Sequence, residues 1–465
     1  MSIKVSALFP LASQQTVDML ESYKKILGKA APMRTRHLDE LHYSIRDLSR
    51  MLTGDRADLT NDYMGDPRSL NAYLRYFLPW NLYRLTRLLA SLEIKLHDDS
   101  IIVDLGAGPL TFAQALWISR PDLRGKKLTI INVDRTPKVM KQGQAIFNEL
   151  AGKSPWKIVN VKGGITTKLR EKADLLVSAN MVNEIIMGLR TPLGLWAEKF
   201  CHQLGKMLAK NGRLLLIEPG VRHCGRAISV MRNEFLQNGW SILAPCPHSG
   251  ECPMPGEHGT PWCHFNFNTT HAPQWLQELS ARCGLEKDNV SLTFLYAAQP
   301  HEEIPAKDEN AFAVRAVSES FKVETGGYGQ YACSEKGLTL LVAKGEARNL
   351  FPGGLLSMPE PETNERDEKS GALIIDIPVK SSFNEHKKPY HKKPSSTKTH
   401  AERSAKPERR VKDSAPEKDN RRADNKNRRK NTDNDNDNSG WSTSRNEALR
   451  GGRRDSRNRG GKKKG

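Results

Sequence analysis

Three of the seven cysteines, Cys246, Cys252 and Cys263, fall within eighteen residues, in Pro245-Cys-Pro-His-Ser-Gly-Glu-Cys-Pro253 and Trp262-Cys-His-Phe265. Prolines, a glycine and histidines surround them, so the segment resists continuous helix or strand and has little apolar surface to bury. Thiolates on a metal would hold its shape instead. The spacings of six and eleven residues contain no C-x2-C knuckle of the kind usual at tetrahedral zinc. Irregular, wide spacing is compatible with a cubane iron–sulfur cluster, which takes four thiolates. The fourth would be Cys283, which reads as a core residue at a helix end, or Cys333, at a hairpin-like turn and better exposed to a shared ligand. His248 and His264 are tempting zinc ligands, but a histidine beside cysteine ligands more often supports the loop by hydrogen bonding. Cys201 and Cys224 lie on predicted helices and read as core or neutral positions.

A second constellation is Val103-Asp104-Leu105-Gly106-Ala107-Gly108-Pro109-Leu110, between an apolar strand and a helix. Gly106 and Gly108 let the backbone approach a ligand with no Cβ in the way. Asp134 ends the next strand, thirty residues after Asp104, and a carboxylate there can accept both hydroxyls of a ribose. A dinucleotide site would carry G-x-G-x-x-G; the third glycine is absent. The form Asp-x-Gly-x-Gly instead resembles the first motif of class I S-adenosylmethionine-dependent methyltransferases. That resemblance implies that Asp104 lies near the cofactor's amino-acid end. It also implies that Ser178-Ala-Asn180-Met-Val-Asn183-Glu184, after a later strand, lines the pocket of methyl transfer, with Asn180, Asn183 and Glu184 as candidates to orient a nucleophile. Neither an Asn/Asp-Pro-Pro-aromatic signature nor a convincing catalytic cysteine is present, and no general base stands out.

These residues need elements to position them. Residues 1–95 read as a helical region, with helical spacing in Leu41–Leu48 and Tyr73–Leu89. Pro79 is expected to kink or restart the second helix; Arg75, Arg84 and Arg87 could face a ligand or RNA, but a solvated face on a packed helix is the favoured reading. Residues 96–300 alternate strand and helix. Ile101–Leu105, Leu128–Val133, Trp156–Val161, Ala173–Ala179 and Gly212–Glu218 are short apolar runs, as in a parallel sheet covered on both faces. Trp240–Ala244 should run parallel to them, so that the cysteine insertion, residues 245–265, leaves the sheet at the edge where the glycine loop lies. Residues 301–350 read as an antiparallel β-rich module supplying Cys333, with a turn at Gly326-Gly-Tyr-Gly329. Beyond residue 352 core-forming density falls away, apart from the island Ala372–Pro378, and residues 351–465 are expected to be largely disordered.

The net charge is +19 over 465 residues. From His386 on, 26 Lys and Arg face 11 Asp and Glu, a net of +15, which leaves +4 for the rest. The basic character is thus a polar tail, suited to nucleic-acid phosphates. The odd cysteine count, with three clustered, argues against a secreted disulfide scaffold. No apolar run is long enough to span a bilayer, and the start lacks a signal peptide's apolar centre. A cytoplasmic protein with no membrane partner is expected.

Five further stretches occur in order: Glu218-Pro-Gly220, Pro245-Cys-Pro-His248 with Cys252-Pro253, Trp262-Cys-His-Phe265, Arg315-x-Val-Ser-Glu319 and Cys333-x-x-x-Gly337. Over roughly residues 70–345 the chain resembles the methyltransferase-like assembly-factor family of the small ribosomal subunit, found in bacteria and mitochondria. The resemblance implies a Rossmann-like class I methyltransferase sheet and binding to small-subunit ribosomal RNA in the immature subunit. It implies a 4Fe-4S cluster on Cys246, Cys252, Cys263 and Cys333, and S-adenosylmethionine at Asp104, Gly106, Gly108 and Asp134. A eukaryotic member would act in the mitochondrial matrix. Two functions follow: an RNA methyltransferase, or a non-catalytic assembly or checkpoint factor in which cofactor and cluster are structural. A zinc-stabilised oxidoreductase is a third reading, weakened by the missing glycine.

Overall fold

A computed structural model describes residues 4–53, 63–300, 312–324, 327–343 and 351–377. The basic segment 386–465 and Gly326 of the expected turn lie outside the described residues. The chain opens with a strand, β1 (Lys4–Ala7), then helices α1 (Gln14–Ala30), α2 (Thr35–Asp39) and α3 (Leu41–Thr53). Ser13 caps α1, its hydroxyl accepting the Thr16 N–H. Next come α4 (Pro67–Ala72), a π-helical turn (Tyr73–Phe77) and α5 (Leu78–Leu89). Pro79 sits in the first turn of α5, where its missing N–H is tolerated. The π turn just before it, with Leu78 N–H bonded to Tyr73 O, carries the helix through without a break.

The expected solvated arginine face is corrected here. Arg75, Arg84 and Arg87 are all buried. Arg75 donates to Ala31 O, Arg84 to Ser291 O at 3.1 Å, and Arg87 to Phe9 O at 2.9 Å and Pro10 O at 2.6 Å. Helix α5 is buried along its whole length, so the long arginines satisfy backbone carbonyls of the elements packed against it.

The main sheet follows, strands and helices largely alternating: β2 (Ile101–Leu105), α6 (Thr111–Ser119), β3 (Thr129–Asp134), α7 (Pro137–Ala151), β4 (Lys157–Lys162), β5 (Ala173–Ala179), α8 (Val182–Met187), α9 (Leu193–Met207), β6 (Leu208–Pro219), α10 (Arg222–Gln237) and β7 (Ser241–Ala244). It is completed by β8 (Phe265–Asn268), α11 (Gln274–Cys283) and β9 (Asn289–Ala298). The strand order is β4-β3-β2-β5-β6-β9-β7, with β8 paired to β9. Strands β2 to β6 are parallel; β9 is antiparallel to both β6 and β7, so β7 points with the first five. Successive residues feed opposite cores: Ile102, Ile130 and Val177 pack with α5, α6 and α7, while Val103, Leu176 and Leu214 pack with α9 and α10. This is a Rossmann-like α/β fold, a mostly parallel sheet with one antiparallel strand inserted near its edge.

A second sheet is built from β10 (Phe312–Ala316), β11 (Phe321–Lys322), β12 (Tyr328–Ser334), β13 (Gly337–Ala343), β14 (Gly354–Met358) and β15 (Leu373–Ile377), in the order β1-β14-β10-β12-β13-β15. It is antiparallel except for β13 and β15, which are parallel. Two expectations are corrected. The N-terminal region is not purely helical, because β1 pairs with β14 across the length of the chain. Core density does not end at residue 352: β14 lies between β1 and β10, and Leu356 and Leu373 are buried. A five-residue strand whose partners lie far off in sequence leaves almost no local periodicity to read. Among the described residues no helix is long and apolar enough to cross a membrane.

Candidate functional site

The chain leaves β2 through Gly106 (φ 71°), Gly108 (φ 50°) and Leu110 (φ 59°). Leu110 thus holds a left-handed position with its side chain buried. Gly106 and Ala107 donate to Val133 O at 2.8 and 3.2 Å, tying the loop to the end of β3. Asp134 accepts Gly108 N–H at 2.9 Å and Thr136 N–H at 2.8 Å, one on each carboxylate oxygen. Each oxygen keeps a further lone pair. Helix α7 presses on the same loop: a Cβ on Gly143 would stand 2.3 Å from the Pro109 carbonyl carbon.

Asp104 lies one row deeper, in register with Asn132. It is 1% exposed, and neither its carboxylate oxygens nor Asn132 Oδ1 has a hydrogen-bond partner. Burial, and then the Asp134 charge, push its pKa well above the ordinary carboxylate value. Orphaned buried acceptors are rare and costly. Here they sit side by side beneath a glycine turn, which suits a ligand that brings donors, a cationic one above all.

Strand β5 ends beside this loop. Asn180 is left-handed (φ 63°), and the Met181 side chain lies where a Cβ of Gly106 would be. Asn180 Oδ1 accepts an Arg84 N–H at 2.7 Å. Glu218, fully buried on β6, accepts Val182 N–H at 2.9 Å and Asn183 N–H at 3.0 Å, so it holds the first turn of α8. Burial pushes its pKa up to about 8, against the downward pull of those two N–H groups and of Arg84. Arg84 itself is brought down to about 10 by burial, with Glu218 opposing. Asn183 Oδ1 lies 2.8 Å from a His223 ring nitrogen. Asn180 and Asn183 are therefore brought into one polar network, while Glu184 is exposed. Sequence reasoning missed Arg84 and His223 as members of this network. Glu218 was visible only as a charged residue closing an apolar strand.

At the same end of the sheet, Cys246, Cys252, Cys263 and Cys333 line one cavity of about 30 Å³. All seven cysteines are free thiols. Cys283 ends α11 in the core, and Cys201 and Cys224 are buried on α9 and α10. Cys333 is in β12 and buried, not exposed at a turn. Burial raises the Cys246, Cys263 and Cys333 thiols, and their neighbouring sulfurs add to it. Among the described residues no group of three or more His, Cys, Asp or Glu side chains is arranged to hold a metal ion. The loop is fixed from outside the thiols. Trp262 Nε1 donates to Gly220 O at 2.9 Å, and Arg222 stacks on the Trp262 ring at 4.5 Å. His264 also stacks on Trp262, with ring centroids 4.7 Å apart, and its Nδ1 lies 3.1 Å from Trp262 O. His248 Nε2 lies 3.2 Å from Cys333 Sγ.

A family model described as mitochondrial small ribosomal subunit Rsm22 matches residues 69–317. No curated protein matches the chain. Similar solved structures include a magnesium protoporphyrin IX methyltransferase from Synechocystis with bound SAH, at 13% identity and a TM-score of 0.29 over 56% of this chain and 96% of that one. A SAM-dependent methyltransferase from Geobacter sulfurreducens in complex with S-adenosyl-L-homocysteine has 12% identity and a TM-score of 0.28 over 48% and 91%. A methyltransferase from Pyrococcus furiosus has 11% and 0.27 over 44% and 77%.

Proposed function

The chain belongs to the mitochondrial small ribosomal subunit Rsm22 family, and we propose on that premise that it is an RNA-binding, methyltransferase-like protein acting on the immature small ribosomal subunit. It uses S-adenosylmethionine and a four-iron cluster. The observation that carries the cofactor is Asp104, a buried carboxylate with no partner under a glycine turn. Asp104 would take the ammonium of the methionine moiety, and Asp134 the ribose hydroxyls on the lone pairs its backbone bonds leave over. Gly106 and Gly108 let the backbone close on the ligand. The bound cofactor supplies an electrophilic methyl group on sulfur. Thr111 stands where the third glycine of G-x-G-x-x-G would fall, which speaks against a dinucleotide.

Cys246, Cys252, Cys263 and Cys333 would hold the cluster. In support, the four cysteines line one cavity, Cys333 buried and the other three half-buried. The cluster would tie the cysteine loop to β12. The charge of +15 in residues 386–465 supports phosphate binding. The compartment is that of the small ribosomal subunit, bacterial cytoplasm or mitochondrial matrix.

One observation favours a second reading, a non-catalytic assembly or checkpoint factor. Asn180 and Asn183 already direct their side-chain oxygens to Arg84 and His223. Calorimetric titration with S-adenosylmethionine, followed by methyl incorporation into immature small subunits, decides. Binding with incorporation supports the enzyme, binding without it supports the assembly factor, and absence of binding overturns the cofactor assignment.

A further inference from the structure

We propose that Arg232 and Arg315 balance the charge of whatever fills the four-cysteine cavity, so that the cavity is built for a centre of net charge near −2 whose sulfurs Arg232 and His248 hold by N–H···S bonds. The inference rests on the four-iron reading above and goes beyond its ligand set. Four thiolates carry four negative charges, and a cluster core of charge +2 leaves two. Such a dianion is costly in a dry cavity unless cations or N–H donors offset it.

Two cations are waiting. Arg232, on α10, is 2% exposed and Arg315, on β10, is 6% exposed. Both line the cavity, and no carboxylate does. Buried guanidiniums usually face a carboxylate; these face thiols. Arg232 Nε lies 3.1 Å from Cys246 Sγ, and its Nη2 donates to His248 O at 3.1 Å and Gly250 O at 2.8 Å. The loop that carries Cys246 and Cys252 thus orients the guanidinium aimed at its own sulfur. Arg315 pairs in register with Cys333, and donates to Pro245 O and Gly353 O, both at 2.9 Å. It binds the residue before Cys246 from the second sheet. His248, 7% exposed, completes the set at Cys333 Sγ. The arginines are positioning residues. They act on the cluster through charge and through the thiols.

The test compares wild type, Arg232→Met, Arg315→Met and the two Arg→Lys variants, all purified anaerobically. Iron and acid-labile sulfide, the midpoint potential and the rate of iron loss to a chelator are read in each. The Met variants should lose iron about tenfold faster, the lower end of what supporting residues contribute at metal sites. They should also reduce at a more negative potential, because a positive charge facing the cluster is gone. The Lys variants should stay close to wild type in both. A packing role alone would lower thermal stability and leave the potential in place. Unchanged potential and loss rate in both Met variants overturn the inference. If the Met variants fail to fold, the Lys variants decide: iron loss as fast as from Cys252→Ser overturns it, and wild-type retention supports it. Wild-type protein that carries neither iron nor sulfide sinks the four-iron reading itself, a failure seen before any variant is made.

Discussion

Asp104 and Glu218 are both buried acids held above their ordinary pKa by burial, yet they do different things. Asp104 has no protein partner, so its ionised form waits for a cation. Asp104→Asn should weaken S-adenosylmethionine binding roughly tenfold to a hundredfold, the loss expected when a charge-assisted bond of about 1.5–3 kcal/mol goes. Wild-type affinity should also strengthen as pH rises through the raised Asp104 pKa, and that dependence should vanish in the variant. Calorimetry at two pH values checks both; equal affinities would remove Asp104 from the site. Glu218 instead holds Val182 and Asn183 N–H. Its folded pKa of about 8 lies above the reference 4.5. Between those values the folded state keeps a proton that the unfolded state has lost, so its contribution to stability is full below the lower value and falls with rising pH. The slope reaches about 1.4 kcal/mol per pH unit. Glu218→Gln should remove that slope in urea unfolding across the window, whatever the constant offset from a less suitable acceptor. That Asp104, Gly106, Gly108 and Asp134 come together was legible because strand, turn and acid sit close in sequence. Arg84 was not: its contact with Asn180 spans 96 residues, and helical periodicity cannot tell a buried arginine from a solvated one.

Helices and strands were legible where burial is local. Strands β2, β3, β5 and β6 are covered on both faces and read as apolar runs; β1 and β14 are short strands whose partners lie far off in sequence. What periodicity could not show is how closely an element approaches its neighbour. Helix α7 reaches the glycine loop because residue 143 has no side chain, and a Cβ there would meet Pro109 backbone at 2.3 Å, which cannot swing aside. Gly143→Ala should therefore destabilise the protein by about 1–3 kcal/mol, despite the roughly 1 kcal/mol that alanine gains in helix propensity, and should weaken cofactor binding by displacing the loop. Gly28→Ala is the control. It lies exposed in α1 with nothing near its Cβ, so the same change should stabilise by roughly 0.5–1 kcal/mol. Thermal melts with and without S-adenosylmethionine separate the two. A stabilising Gly143→Ala would mean that α7 does not set the loop's position.

At the scale of the molecule, the two sheets are joined by more than the cysteine cavity. Strand β1 belongs to the second sheet, yet Phe9, two residues on, is buried in the core of the first. Its ring stacks on Phe267 at 5.0 Å, leans on Phe265 at 5.5 Å and meets Phe294 edge-on at 6.4 Å. Its carbonyl accepts Arg87 Nη2, and Arg87 lies over the Phe267 ring at 5.1 Å. Gly353, just before β14, packs against the same phenylalanine, and Arg315 bonds Gly353 O while it reaches Pro245 O. One continuous set of contacts thus runs from the N-terminal segment through the second sheet to the cysteine loop. Truncating Phe9 to alanine should cost about 3–5 kcal/mol, the usual loss for a buried aromatic, since the surrounding rings belong to strands and cannot collapse into the gap. The loss should not be local. Amides of β14 and β10 should exchange faster with solvent than those of β2 and β5, because the second sheet would lose its anchor while the main sheet keeps its own core. Hydrogen exchange on Phe9→Ala measures this directly. Equal acceleration in both sheets would make Phe9 an ordinary core residue, and a loss below about 1 kcal/mol in urea unfolding would make the N-terminal segment an accessory to a second sheet held by the cysteine side alone.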